Sequence, residues 1–164
     1  AAPAALSNDW GIDHGTWSVL VHLFPKADVP VVQLSVASNL PPSAHLDLGR
    51  SLAPLREEGV LVMGSGNITH NLRHAMMNYG RDAADTPDWA ARFDAEIADA
   101  IGQSDAGFLT RALVNDEGRL SHPTPDHYLP LLYAAGAAGA AGDVSFPITG
   151  FDLGSLSMRA ALWA

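Results

Sequence analysis

Gly59-Val60-Leu61-Val62-Met63-Gly64-Ser65-Gly66-Asn67-Ile68-Thr69-His70 runs from an apolar stretch through a glycine turn to an imidazole. A short apolar, β-branched run bounded by glycine predicts a buried strand, because a strand covered on both faces needs no polar alternation. Val29-Pro30-Val31-Val32-Gln33-Leu34-Ser35-Val36 has the same character upstream. Between the two, His45 to Glu58 carries Leu46, Leu48, Leu52 and Leu55, which predicts a crossover helix made irregular by Pro54. Strand, helix, strand and glycine turn define an α/β arrangement, and ligands in such folds gather at the carboxyl ends of strands. His70 stands where a site is expected.

The rest of the chain fits around this unit. Trp17, Val19, Leu20, Leu23 and Phe24 predict a short helix over Thr16 to Phe24 that stops at Pro25. Trp89, Phe93, Ile97 and Ile101 recur every fourth residue, the stripe of an amphipathic helix packed on the sheet, with Arg92, Asp94, Glu96 and Asp99 on its other faces. Asp126 to Ala141 is rich in Leu, Tyr and Ala, a good helix former loosened by Gly136, Gly139 and Gly142. A last strand is expected over Leu156 to Trp163. The reading is one α/β domain over residues 1–164, a central, mostly β-sheet flanked by helices in a three-layer αβα-like stack.

Composition narrows the function. A formal net charge of −9 with only nine Lys and Arg argues against a nucleic-acid surface. No apolar run reaches the roughly 18 to 20 residues of a membrane span, so a soluble protein is expected. The chain has no cysteine, which excludes a disulfide framework and fits a reducing compartment. Ala-Ala-Pro-Ala-Ala at the start has neither the basic residues nor the long apolar stretch of a signal peptide. The cytoplasm is the expected location.

The histidines sit in turn-rich settings: Asp13-His14-Gly15, Gly64-Ser65-Gly66 through His70, and His122-Pro123-Thr124-Pro125-Asp126-His127. Imidazoles on loops bind metals or exchange protons near neutral pH, and without thiolates the donors suit iron(II), zinc or manganese. Asp13 is placed either to fix the His14 ring or to cap a helix. His70 and His74, four apart, would share a helix face as in helical zinc sites, but Asn71 stands where a general-base Glu would follow His70. Prolines 123 and 125 stiffen the segment ahead of His127, which is expected in the first turn of the next helix. Tyr128 and Arg159 are candidate contacts for a substrate phenolate or carboxylate, although Arg159 has 18 acidic residues as alternative partners. His22 and His45 belong to no motif and are expected at the surface.

Asn8 to Trp17, Gly64-Ser65-Gly66 through His70-Asn71-Leu72-Arg73-His74, His122 to Leu131, and Ser157-Met158-Arg159 resemble the class III extradiol ring-cleaving dioxygenases, most closely the 4,5-DOPA extradiol type. The resemblance spans nearly the whole chain. It implies opening of a catechol by dioxygen at a non-haem metal, Fe(II) first and Zn(II) as the alternative. His14 and His70 become the catalytic residues, His14 helping to deprotonate a catechol hydroxyl and His70 protonating the developing oxygen, with His70 and His127 the metal residues and His122, Tyr128 and Arg159 the substrate contacts. His74 is left as a helix residue.

The resemblance also implies that the chain corresponds to the carboxyl-terminal part of the family domain. Two further histidines, one in a Ser-His-Gly turn, and several amino-terminal strands have no counterpart here. A truncated product, a half that joins a separate amino-terminal polypeptide, or a binding remnant would each fit, and exposed strand edges would favour the first two. Two rival functions use the same residues: a non-catalytic binding or assembly protein, and a zinc hydrolase in which the same donors activate water.

Overall fold

The computed structural model describes residues 4–81, 84–139 and 143–164. The first three residues of the expected non-signal start, and residues 140–142 at the end of the helix expected over Asp126 to Ala141, lie outside these ranges. Helix α1 spans His14–Leu23. It begins there because the Asp13 side chain accepts the Thr16 N–H at 3.1 Å, and it ends ahead of Pro25 as the sequence predicts. Helix α2, Pro42–Leu52, opens on a proline and passes into a 3-10 turn, Ala53–Glu58. Pro54 sits at the start of that turn, where its missing N–H breaks the α ladder, and Gly59 closes it at φ 81°.

The short helices α3 (Leu72–Met77), α5 (Ala106–Arg111) and α6 (Asp116–Ser121) are capped by the side chains of Asn71, Asp105 and Asn115. Between them, α4 covers Asp88–Gly102. The expected stripe of α4 is buried at Phe93, Ile97 and Ile101, where it meets α5 and α6, in a core against which Val144, Phe146, Ala161 and Trp163 also pack. Leu46, Leu109, Tyr128, Leu129 and Leu132 complete the same core.

A 3-10 turn, Pro125–His127, leads into α7, Leu129–Ala138, which crosses α2 closely. A methyl carbon on Gly49 would stand 2.4 Å from the Tyr133 carbonyl oxygen, and one on Gly136 would stand 2.3 Å from that of Leu46. Gly136 therefore tightens a helix crossing instead of loosening a helix. The crossing also buries His45 completely, which corrects its expected surface position. Its Nε2–H donates to the Leu40 carbonyl at 3.3 Å, and its Nδ1 accepts the Tyr133 hydroxyl at 2.9 Å.

The expected central sheet is not formed among the described residues. Val29 to Val36 and Gly59 to Met63 belong to no strand ladder, and Val32 and Leu61 are 88% and 64% exposed. Their sequence asks for neighbours on both faces, and no described segment supplies a paired strand. What forms instead is a pair of two-stranded antiparallel sheets: β1 (Val144–Ile148) with β4 (Ala160–Trp163), and β2 (Phe151–Asp152) with β3 (Leu156–Ser157). The strand expected over Leu156 to Trp163 is thus divided at Met158 and Arg159, its halves serving different sheets.

Candidate active site

Two segments converge on an imidazole pair. Asn67 to Asn71 runs antiparallel to β3, with His70 opposite Leu156, and the His70 N–H donates to the Ser121 carbonyl at 2.9 Å. On the other side, the Gly64-Ser65-Gly66 turn lies directly on the backbone of His127 to Pro130. The Asn67 N–H donates to the His127 carbonyl at 3.0 Å, and glycine at 66 leaves the room for this approach. The His70 and His127 rings consequently stack, with centroids 3.6 Å apart and planes 8° from parallel.

Both rings are partly exposed, as a group that meets a ligand must be. Burial, followed by the neighbouring His127, holds the His70 pKa below the usual histidine value. Asp126, 3.5 Å from His127 Nε2, is held below the usual carboxylate value chiefly by its hydrogen bond with the Thr124 side chain. His70 is therefore poised to be uncharged, a state suited to accepting a proton or donating a lone pair.

His122 is 5% exposed and packs edge-on against Phe93 and Tyr128. Burial lowers its pKa to about 4. The ring is neutral, and Nε2 carries the proton, because that nitrogen meets the Ile68 carbonyl at 2.8 Å. It supports the backbone two residues before His70 and presents no surface to a substrate. Tyr128 is fully buried, its hydroxyl donating to the Leu109 carbonyl at 2.8 Å. Burial raises its pKa. The substrate contact expected of Tyr128 is replaced by a core role. Arg159 Nη2 donates to Asp94 Oδ2 at 2.6 Å, and its guanidinium carbon lies 4.9 Å from the Phe146 ring centroid, so its fork is spent inside the protein.

His14 is exposed at the first turn of α1. Asp13 caps that helix, and the Ser65 hydroxyl donates to the Gly15 carbonyl, tying the start of α1 to the turn that leads to His70. His74 does not share a helix with His70, since α3 begins after it. The ring is half-buried edge-on against Trp89, at 5.6 Å.

Sequence reasoning missed Asp94 and Ser157, both buried. Asp94 was placed on the polar face of α4, yet it lies four residues after buried Ala90 and three before buried Ile97, inside the apolar stripe. A charge in that register was the available signal.

The chain matches the family described as the catalytic LigB subunit of aromatic ring-opening dioxygenase over residues 2–153. It is 41% identical over 160 residues to the 4,5-DOPA dioxygenase extradiol of Escherichia coli K12, covering 95% of this chain and 58% of that protein. The Beta vulgaris protein of the same name is 38% identical over 149 residues, covering 90% and 54%. A solved structure, that of an uncharacterized Escherichia coli K12 protein, superposes with a TM-score of 0.84 at 41% identity, over 93% of this chain and 62% of that one. The chain belongs to this LigB family of aromatic ring-opening dioxygenases. It spans little more than half the length of the curated relatives it matches.

The described residues do not by themselves fit the metal that the family implies. Among them, no group of three or more His, Asp or Glu side chains is arranged to hold an ion. Stacked, parallel rings direct their in-plane lone pairs side by side rather than toward one point, so even the His70–His127 pair does not converge on a common ion as it stands.

Proposed function

We propose that this chain forms part of an extradiol dioxygenase that opens a catechol, such as DOPA, with dioxygen. The observation that carries the proposal is the stacked His70–His127 pair, built from two of the segments that resemble the family and linked by Ser65 to the turn bearing His14. His14, exposed, is suited to take a proton from a catechol hydroxyl, and His70, kept neutral by burial, to pass a proton to or from the reacting oxygen. General acid–base steps of this kind contribute roughly a hundredfold or more each. His70 and His127 are the residues this chain would offer to an Fe(II) or Zn(II) centre, with the remaining donors coming from polypeptide outside it. Arg159 and Tyr128 are reassigned to packing, and His122 to support of the His70 segment.

Exposed, unpaired Val29 to Val36 and Gly59 to Met63 support a further polypeptide, a separate amino-terminal half or a second copy, covering that face. Among the described residues no helix is long and apolar enough to cross a membrane. With the acidic, cysteine-free composition this favours the cytoplasm. The test is oxygen uptake with L-DOPA by the 164-residue chain, alone and joined to the segment by which its relatives are longer. The joined protein is expected to turn over and the chain alone to be nearly inert. Rates of about ten per second from the chain alone would overturn its dependence on a partner. An inactive, metal-loaded joined protein would overturn the catalytic reading.

A further inference from the structure

Asp94 is a carboxylate at 4% exposure in the middle of α4, a position that costs free energy unless its partners are fixed. It has two. The Ser157 hydroxyl donates to Oδ1 at 2.6 Å, and Arg159 donates through Nε to Oδ1 and Oδ2 at 3.2 and 3.1 Å and through Nη2 to Oδ2 at 2.6 Å. The Arg159 N–H returns to the Ser157 hydroxyl at 3.2 Å, closing the cluster.

The remaining polar groups of Ser157, and those of Ser155 just before β3, bind the segment that bears His70. The Ser157 N–H donates to the Thr69 carbonyl and to its hydroxyl, each at 3.1 Å. The Ser157 carbonyl accepts from Asn67 Nδ2 at 2.9 Å, the Ser155 carbonyl accepts from the Thr69 hydroxyl at 2.9 Å, and the Ser155 hydroxyl donates to the Asn71 carbonyl at 3.2 Å. β3 is only two residues long, so its own ladder cannot fix it. The carboxylate of α4 adds a brace from the other side.

We propose that Asp94 is a positioning residue for His70: through Ser157 and Arg159 it locks β3, and β3 in turn holds Asn67 to Asn71 at the register that stacks His70 on His127. Asp94 touches neither imidazole and acts only through this relay. Its importance for catalysis rests on the active-site reading of His70 given above; its effect on the ring geometry does not.

The test separates the two. In the metal-free 164-residue chain, the nuclear Overhauser contact between the His70 and His127 ring protons reports the stack directly. Asp94→Ala and the near-isosteric Asp94→Asn, which removes the charge opposite Arg159, are expected to abolish or strongly weaken that contact while the α-helical circular dichroism is retained. Ser157→Ala, which deletes one link, should weaken it and decides the matter if the Asp94 variants fail to fold. Leu46→Ala, a packing variant at the α2–α7 crossing, should leave the contact intact. An undiminished contact in the folded Asp94 or Ser157 variants, or an equal loss in Leu46→Ala, would overturn the proposal. In the joined enzyme, Asp94→Asn should lower kcat by about a hundredfold with little change in KM, as a displaced but present catalytic group does. An inactive wild-type joined enzyme would count against the functional reading alone, leaving the ring-contact result to stand or fall by itself.

Discussion

Gly66 and His127 meet backbone to backbone: a Cβ on Gly66 would stand 2.1 Å from the His127 carbonyl oxygen, which already accepts the Asn67 N–H at 3.0 Å. The oxygen is a main-chain atom, so a small side-chain rotation cannot relieve the contact. Gly66→Ala must push the two segments apart, and with them His70 and His127. It is expected to destabilise the fold by about 1 to 3 kcal/mol, as overpacking does, and to remove the ring contact between the two histidines. Thermal unfolding and the imidazole spectrum of the variant check both; an unaltered stack would show that the backbone contact does not set it.

Tyr128→Phe tests whether the family-implied substrate contact survives the geometry. The hydroxyl is buried and satisfies the Leu109 carbonyl at 2.8 Å, so its loss leaves a buried acceptor unpaired. The expected cost is about 1 to 3 kcal/mol in urea unfolding, with no change in KM for a catechol in the joined enzyme. A KM increase without loss of stability would restore Tyr128 to the substrate.

His122 makes stability depend on pH. Its folded pKa, lowered to about 4 by burial, lies below the value near 6.5 of an unfolded histidine, so the unfolded chain binds the extra proton between these two pH values. Stability from this group is fully present above about pH 6.5, falls as the pH drops, and is gone near pH 4, a change on the order of 3 kcal/mol. Urea midpoints measured across this window should fall for the natural chain, and fall less for His122→Asn.

Much of this organisation is legible in the sequence because it is local. The α4 stripe, the stop of α1 at Pro25 and the break at Pro54 follow from periodicity and from proline's missing N–H, and all stand in the structure. Val29 to Val36 and Gly59 to Met63 read as buried strands because their side chains ask for cover, but pairing is a property of neighbours that the segments themselves do not encode. Histidine motifs likewise announce chemistry without distinguishing a ring that reaches the site from one that braces it. His70 and His122 look alike on paper; only the Ile68 carbonyl at 2.8 Å assigns the second to support. Arg159 shows the converse, since its acidic partner lies in α4, far along the chain, where Asp94 looked like an ordinary surface charge.

The division of labour between His127 and His14 gives the last prediction. His127 stands on a proline-stiffened turn beside Asp126, and in the proposed reading it is a metal donor, whose removal takes away a coordinate bond. His14 lies on the exposed first turn of α1, which the Ser65–Gly15 hydrogen bond ties to the turn leading to His70, and in the proposed reading it moves protons. In the joined enzyme, His127→Ala should therefore lose bound metal and activity together. His14→Ala should keep its metal and slow ring cleavage by an amount corresponding to about 3 to 5 kcal/mol in the barrier. His74→Ala, which removes the edge contact with Trp89, should leave metal content and rate nearly unchanged. Metal analysis and single-turnover kinetics on the three variants decide the matter, and a His14→Ala protein that loses its metal would reverse the assignment of roles.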